Sequence, residues 1–252
     1  MASVDKFTHG AVANQLRHCK RQIKKDNNKD IDSNRTHLNF CLTPQRNMSE
    51  FDYYKKRKEE LYCYGRADVK TMAGWIVTAP QELTTRDEEI LFFKRVYHFL
   101  ENRYGKENVI SATVHYDEGK MEKCKDRWGE YIKDEKGEIK RKLAMGRPHL
   151  HFNFIPVVED KNPKHIQSEK ICANERLNRV ELRKFHKDLQ QYLKDNGMEV
   201  KVITGKTKVQ GRNYTVEELK EKYETQKEIE RLREIERKYN REHQRTYERG
   251  RW

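Results

Sequence analysis

The chain has 252 residues, a formal net charge of +13 and a pI near 9.4, and 38% of its residues are charged. Its length suits one large domain or one domain with an appendage, no apolar run approaches the ~18 residues of a membrane span, and its start lacks the apolar core of a secretory signal. Five scattered cysteines without a CxxC pair argue against a disulfide framework or a cysteine zinc site. We therefore expect a cytoplasmic protein without a membrane anchor. Its positive charge predicts a polyanionic partner, and nucleic acid is favoured over a membrane.

The body of the chain alternates stretches that are typical of strands and of helices. A short apolar stretch at residues 74–80 predicts a buried strand, and the next segment predicts a helix that begins at Thr84 or Thr85 and ends at Gly105. Residues 108–118 and 148–158 predict two more strands, and residues 178–197 predict an amphipathic helix. Strands with intervening helices but no strict βαβ repeat indicate an α+β fold, with a mostly antiparallel central sheet flanked by helices.

Two polar regions stand apart from this body. Residues 119–147 interrupt the last two strands and predict a surface hairpin that turns at the sequence DEKG. Residues 204–213 predict a linker, and the tail from about residue 217 predicts a charged helix with a partial apolar seam. We therefore expect the functional domain at 1–200 and a linker with a charged C-terminal helix at 201–252. That helix is either a single solvated helix or a coiled-coil segment that forms a homodimer.

Three histidines lie on the polar sides of the two interrupted strands. Because side chains alternate along a strand, His149 and His151 share one face, and Leu150 and Phe152 share the other. In the preceding strand His115 lies on the polar face with Thr113. The apolar face of that strand is expected to carry Ile110, Ala112 and Val114. If the two strands pair, the three imidazoles converge on one polar face.

Three imidazoles can hold a divalent transition metal and leave coordination positions open for a substrate. Asp117 and Glu118 follow directly after the first of these strands and can complete the site. A metal on a basic scaffold suggests phosphodiester chemistry, in which the ion offsets charge that develops on the phosphate oxygens. Nitrogen ligands leave the identity of the metal open among manganese, zinc, cobalt and nickel.

Several sequence segments resemble the Mob/Pre (MobV) relaxases, plasmid mobilisation and recombination proteins of the HUH endonuclease group. HYDE (residues 115–118) with PHLHF (148–152) resembles the family's third motif, and RHCKR (17–21) with NKDIDSNRTHLNF (28–40) resembles the first. The resemblance covers roughly residues 9–200 and implies an HUH relaxase-like fold. Two departures are evident. About thirty residues separate HYDE from PHLHF, where the family commonly has two or so, and Phe40 replaces a tyrosine.

The resemblance implies a metal-dependent relaxase that nicks one DNA strand by transesterification and keeps the 5′ phosphate bound covalently. His18 then stands at the position of the nucleophile, and Arg21, on the same helical face, is expected to hold the phosphate. Glu118 either orients or deprotonates His18 or serves as a fourth metal ligand, with Asp117 as the fallback. The expected metal is Mn²⁺, with Mg²⁺ or another transition metal as alternatives, and its ligands are His115, His149 and His151.

The resemblance also implies single-stranded and hairpin DNA at an origin of transfer as the partner. Sites for single strands combine cationic grooves with aromatic stacking platforms, and the residues expected to contact DNA are Arg35, Phe40, Arg66 and Tyr104. Two other functions stay open at this point. One is a replication initiator of the HUH type, and the other is a non-catalytic DNA-binding protein whose histidines hold a structural metal.

Overall fold

The computed structural model describes residues 2–22, 29–203, 221 and 224–237. The chain divides into two units, Met1–Thr204 and Gly205–Trp252. The elements of the first unit follow each other as β1 (Ala2–Thr8), α1 (His9–Cys19), β2 (Phe40–Cys41), α2 (Glu50–Glu59), β3 (Lys70–Thr78), α3 (Arg86–Tyr104), β4 (Val109–His115), β5 (Gly119–Lys123), β6 (Arg141–Met145), β7 (His149–Phe154), β8 (Val157–Glu159), β9 (Glu169–Ile171), α4 (Ala173–Arg176) and α5 (Arg179–Asp195). A 3-10 helix, Ser33–Leu38, precedes β2.

The second unit is described only in part. Residues 224–237 are helical, as the charged pattern predicts, and three members of the predicted seam are exposed there: Ile229, Leu232 and Ile235. The remaining seam positions and the predicted linker lie outside the described residues. Nowhere in the described part of the chain does a helix have the length and hydropathy that crossing a bilayer requires.

Five strands form a central antiparallel sheet in the order β1-β3-β7-β4-β2. Strand β7 lies in the middle and pairs with β3 on one side and with β4 on the other. The two histidine-bearing strands are therefore neighbours, and the predicted α+β fold with an antiparallel sheet is confirmed. Strand β1 was not predicted, because its sequence ASVDKFT alternates weakly and carries two charges.

Helices α3 and α5 cover one face of the sheet. Leu150, Phe152 and Phe154 of β7 are 0% exposed beneath these helices, and burial of side chains of this size stabilises the fold by about 1.5–3 kcal/mol each. Helix α3 begins at the predicted position because Thr85 and Glu88 form a capping box. Its end at Gly105, where φ is +90°, also matches the prediction.

Helices α1 and α2 pack beside the opposite face through a second apolar cluster that includes Val12, Tyr54 and Ile110. The prediction that Ile110 shares a face with Ala112 and Val114 is wrong. The register between β4 and β7 shifts between Val109 and Ser111, and this irregularity turns Ile110 towards the second cluster.

Close contact between β3 and β7 depends on one glycine. Gly74 pairs with Asn153, and a Cβ at Gly74 would lie 2.7 Å from Oδ1 of Asn153. The Asn153 amide in turn donates to Oγ of Ser111 at 2.9 Å, which satisfies part of this buried polar group. Because Gly74 has no side chain, it leaves room for the polar side chain of Asn153 on the sheet face that carries the histidines.

Candidate active site

The three strand histidines lie together on the sheet face opposite α3 and α5. The register of β4 and β7 places His115 opposite His149 and Thr113 opposite His151. Distances between the centroids of the three imidazole rings range from 4.7 to 5.6 Å. His115 and His151 are buried, whereas His149 is half-buried. The predicted convergence of the three imidazoles is present in the structure.

Helix α1 ends over this cluster and adds a fourth imidazole. The ring centroid of His18 lies 5.9 Å from that of His115 and 5.6 Å from that of His151. The carbonyl of Cys19, the last residue of α1, accepts a hydrogen bond from Nε2 of His115 at 2.9 Å. The side chain of His18 is 31% exposed, so an incoming ligand can reach it.

The carboxylate of Glu118 contacts three of the four imidazoles. Its Oε1 lies 3.1 Å from Nδ1 of His115 and 3.4 Å from Nε2 of His18, and its Oε2 lies 3.1 Å from Nε2 of His149. Burial by itself would raise the pKa of Glu118, but hydrogen bonds with these histidines outweigh burial and hold the pKa below its ordinary value. Glu118 is therefore an ionised group between the histidines.

The carboxylate of Asp117 is fully buried. It accepts from Nε and Nη2 of Arg21 at 2.9 and 2.5 Å, from Oγ1 of Thr36 at 2.9 Å and from Nδ2 of Asn39 at 2.7 Å. Burial would raise the pKa of Asp117, but these hydrogen bonds, led by Arg21, lower it below its ordinary value. The fallback role predicted for Asp117 is wrong, because its oxygens are already occupied within the fold.

Arg21 does not share a helical face with His18, which corrects that prediction. Helix α1 ends at Cys19, and Arg21 follows with φ +54°, the left-handed conformation common after a helix C-terminus. Its guanidinium is 11% exposed and donates to Asp117, to Oε1 of Glu118 at 2.7 Å and to the carbonyl of His18 at 3.2 Å. Four of its five N–H donors are used in this way, so Arg21 links α1 to both carboxylates.

The neighbouring carbonyl groups favour tautomers of two histidines that suit metal binding. The carbonyl of Arg147 lies 3.3 Å from Nδ1 of His149, and the carbonyl of Cys19 lies beside Nε2 of His115. A carbonyl that accepts the N–H of one ring nitrogen leaves a lone pair on the other nitrogen. Nδ1 of His115 and Nε2 of His149 then face oxygens of Glu118 at 3.1 Å, a distance at which acceptor atoms require a shared proton or a cation.

His151 also suits a ligand role. Burial first, and then the charges of neighbouring histidines, lowers the pKa of His151 well below its ordinary value, so its ring is neutral. Its Nε2 lies 3.1 Å from Nε2 of His149, and its Nδ1 is buried without a hydrogen-bond partner. One potential ligand atom from each of four residues lies within 4.8 Å of the others: His18, His115, Glu118 and His151. His149 lies beside this set, because its Nε2 is also 3.1 Å from Oε2 of Glu118. The strand histidines and Glu118 together offer the nitrogen and oxygen donors that a divalent transition metal takes.

The residues expected to contact DNA are scattered over the first unit. Arg35 donates from Nε to the carbonyl of Tyr116 at 3.1 Å, and Phe40 lies on edge strand β2 with its ring against Tyr116. Arg66 is exposed and pairs with Asp68 at 3.3 Å. For Arg35, Phe40 and Arg66 the DNA-contacting role stays a prediction.

Tyr104 cannot be a stacking platform for DNA, and that prediction is wrong. Its side chain is 3% exposed and stacks on Phe154 with 4.0 Å between ring centroids. Its hydroxyl accepts from Nε1 of Trp75 at 2.9 Å and donates to Glu181 at 2.9 Å. The aromatic ring at the end of α3 therefore belongs to the core under α5.

An open cavity of about 280 Å³ adjoins the site at the C-terminal end of α1. Arg21, Thr36 and Asn39 line it together with Phe40 and Thr113. The cavity therefore extends from the residues that hydrogen-bond to Asp117 as far as the ring of Phe40 on β2. Thr36 and Asn39 were missed from the sequence, because polar residues of a loop have no periodicity that indicates which carboxylate they bind.

Comparison with known proteins agrees with this geometry. Residues 1–221 match the Mob_Pre family, described as plasmid recombination enzyme. The chain belongs to this family. The plasmid recombination enzyme type 1 of Staphylococcus aureus is 29% identical over 197 residues, which make up 75% of this chain and 40% of the relative. A plasmid recombination enzyme of Streptococcus agalactiae is 25% identical over 228 residues, which make up 87% of this chain and 38% of the relative. The chain thus spans well under half the length of these Mob_Pre relatives.

A solved structure shares the fold. It is the Mn-bound crystal structure of the MobM relaxase domain (MOBV; Mob_Pre) with plasmid pMV158 oriT DNA. The alignment has a TM-score of 0.63 and 23% identity, and it covers 88% of this chain and 97% of the MobM chain. This Mob_Pre member therefore has the α+β fold of the MobM relaxase domain, which is the fold that the sequence resemblance implied.

Proposed function

We propose that this Mob_Pre protein is a metal-dependent DNA relaxase. It nicks one strand at the origin of transfer of a plasmid or mobile element, and it retains the 5′ phosphate as a covalent adduct on His18. The observation that carries the proposal is the convergence of Glu118, three strand histidines and a half-exposed His18 in one cluster. Two comparisons support the proposal. The relatives are named plasmid recombination enzymes, and the structurally similar MobM relaxase domain is bound to oriT DNA and manganese.

In this proposal His18 is the nucleophile. A Glu118 oxygen at 3.4 Å from Nε2 favours the tautomer with the proton on Nε2, which leaves the lone pair on Nδ1. Nδ1 attacks the scissile phosphorus, the bond from phosphorus to the 3′ oxygen breaks, and that oxygen leaves and takes a proton from solvent. The product is a phosphoramidate. Glu118 stabilises the positive charge that develops on the imidazole ring, as a carboxylate does for a catalytic histidine.

His115, His149 and His151 are the proposed metal ligands, and Mn²⁺ is the proposed ion. When bound, the metal supplies positive charge against the oxygens of the scissile phosphate. Glu118 has the role of orienting His18 in this assignment, because its carboxylate contacts His18 as well as two of the ligands. Arg21 is a positioning residue that holds Glu118 and Asp117, rather than the phosphate clamp expected from its spacing.

The proposed substrate is single-stranded and hairpin DNA at the origin. Arg35, Phe40 and Arg66 are the proposed contacts, and the net charge of +13 favours association with a polyanion. We place the reaction in the cytoplasm, where plasmid DNA resides. The exposed Ile229, Leu232 and Ile235 make the C-terminal helix a candidate segment for homodimer formation.

The test is a denaturing gel of the protein after incubation with Mn²⁺ and the supercoiled element that encodes it. Wild type is compared with His18→Ala and with His98→Ala, a matched control because His98 is an exposed histidine on α3 with its ring 59% accessible. We expect nicked circles and a protein-bound 5′ end with wild type and His98→Ala. Neither should form with His18→Ala or after chelation of the metal.

Three other outcomes would replace parts of the proposal. An adduct that persists in His18→Ala would move the nucleophile, with Tyr53 as the next candidate because Tyr54 is buried. Salt-sensitive DNA binding without nicking, under any divalent metal, would favour a non-catalytic protein with a structural metal. Nicking confined to an origin of replication would favour the replication initiator.

A further inference from the structure

The segment between the two histidine strands projects from the site as a structured arm, defined here as residues 119–145. Strands β5 and β6 pair at its base, from Gly119 opposite Met145 to Lys123 opposite Arg141. The N–H of Gly119 donates to the carbonyl of Asp30 at 2.7 Å, and the N–H of Gly146 donates to that of Glu118 at 2.9 Å. The arm therefore leaves the domain at the carboxylate that contacts His18.

The distal half of the arm contains two equivalent turns, DRWGE at 126–130 and DEKGE at 134–138. In each turn an aspartate side chain, Asp126 or Asp134, accepts from the backbone N–H groups two and four residues ahead, at 2.8–2.9 Å. Gly129 and Gly137 adopt φ +87° and +79°, which favours glycine at both positions. The turns give the arm a defined shape although its side chains are largely polar.

The two faces of the arm differ in charge. Cross-strand partners project to the same side, and the pairs are Lys123 with Arg141, Lys125 with Tyr131 and Lys133 with Ile139. The acidic residues Glu122, Glu130 and Glu138 alternate with members of these pairs and therefore lie on the other face. Within the described arm, one face thus combines four cationic side chains with an aromatic ring.

Aromatic rings and cations are also in direct contact on the arm. The Nζ atoms of Lys123 and Lys125 lie 5.3 and 5.1 Å from the ring centroid of Tyr131. At the first turn the guanidinium of Arg127 lies 4.2 Å from the ring of Trp128, whose surface is 65% exposed. An exposed tryptophan on a polar arm adds no core packing, and basic side chains among accessible aromatic rings are the arrangement that single-stranded nucleic acids bind.

We propose that the basic face of the arm binds single-stranded DNA that extends beyond the cleavage site. The proposal rests on the proposed relaxase function, which places a DNA strand at His18 next to the base of the arm. Residues 119–147 carry ten lysines and arginines against six aspartates and glutamates, so the region complements a phosphate backbone. Trp128 and Tyr131 provide surfaces on which bases stack.

The test measures binding of the full chain to fluorescent oligonucleotides of the origin by anisotropy. One oligonucleotide covers only the nick region, two others extend it with single-stranded DNA on the 5′ or the 3′ side, and a fourth carries the same extension as a duplex. The variants are Trp128→Ala and Arg141→Gln. Lys142→Gln is the matched control, because Lys142 is the next residue of β6, is also exposed, loses the same charge and lies on the opposite face.

Wild type should bind at least one single-stranded extension more tightly than the short oligonucleotide. Trp128→Ala should weaken that binding roughly tenfold, the loss of one stacked base. Arg141→Gln should reduce the slope of log affinity against log salt by about 0.7, the value for one phosphate of a single strand. Lys142→Gln should change neither quantity. In a Trp252→Phe background, a drop in tryptophan fluorescence on DNA binding should vanish when Trp128→Phe is added, because the remaining Trp75 is buried.

Equal affinity of wild type for short and extended oligonucleotides would overturn the proposal. Equal effects of Arg141→Gln and Lys142→Gln on the salt slope would also overturn it. A loss of affinity seen only with the duplex extension would do the same. The comparison of Arg141→Gln with Lys142→Gln still tests the proposal if Trp128→Ala fails to fold. A protein that shows the arm-dependent binding but never cleaves would refute the relaxase function alone, whereas cleavage without any arm-dependent binding would refute the arm alone.

Discussion

The two faces of strand β7 differ in what they contribute to the molecule. Leu150, Phe152 and Phe154 are 0% exposed beneath α3 and α5, whereas His149 and His151 alternate with them and face the end of α1. Buried polar groups cost free energy unless hydrogen bonds compensate them, and the apolar side chains on the other face offset that cost. One hexapeptide thus supplies both core side chains and two of the proposed metal ligands.

The largest effect should come from the histidine face. His151→Ala removes a proposed metal ligand, and we expect single-turnover nicking of a labelled origin oligonucleotide to slow by at least about a thousandfold, roughly 4 kcal/mol in the barrier. The variant should still fold, because the apolar face is unchanged. His98→Ala serves as the control, and retention of more than a tenth of the rate in His151→Ala would contradict the assignment.

The neighbouring residue should show the reverse pattern. Phe152→Ala removes a fully buried ring, and we expect the free energy of unfolding to fall by about 3–5 kcal/mol in urea titrations. Phe152→Leu, which keeps most of the apolar volume, should cost less, about 1.5 kcal/mol or below. If Phe152→Ala unfolded at the same urea concentration as His151→Ala, the division between the faces would be wrong.

Metal should stabilise only through the histidine face. At an Mn²⁺ concentration about one hundred times the dissociation constant, the folded state gains about 2.7 kcal/mol, which calorimetry detects as a higher melting temperature. His149→Ala should lose most of this gain, whereas Phe152→Leu should retain it. An equal upward shift in His149→Ala and wild type would exclude His149 as a ligand.

The smallest effect tests the corrected position of Tyr104. Tyr104→Phe removes the hydroxyl that contacts Trp75 and Glu181, and we expect a loss of about 1 kcal/mol in unfolding free energy. Its affinity for origin DNA should equal that of wild type, because the ring lies in the core. A clear drop in DNA affinity with unchanged stability would restore Tyr104 as a contact.

The success of sequence analysis varied with the kind of pattern. The alternation of β7 has a period of two, which fixes the faces of a strand in any surroundings, and so the convergence of His115, His149 and His151 could be predicted. Ile110 was misplaced because the register shift beside it arises from pairing with β7, and the residues themselves carry no sign of it. Tyr104 was misassigned because an aromatic residue near a helix end suits a core as well as a DNA surface.

The surroundings of the carboxylates were beyond sequence analysis for a different reason. Arg21 is three residues from His18, a spacing that suits a shared helical face, but no glycine or proline signals that α1 ends at Cys19. Its contacts with Asp117 and Glu118 span almost one hundred residues of sequence. Thr36 and Asn39 likewise reach Asp117 from a loop, and only the folded chain brings them together.

The most direct test of a catalytic role for the histidine face is to identify the residue that carries the DNA. Wild-type protein would be trapped on an origin oligonucleotide with Mn²⁺, digested, and sequenced by mass spectrometry under mildly alkaline conditions that preserve phosphoramidates. We predict that the nucleotide is attached to His18 through a nitrogen–phosphorus bond, and that brief acid treatment releases it. An acid-stable link to a tyrosine, or the absence of any adduct despite full DNA binding, would contradict a histidine relaxase.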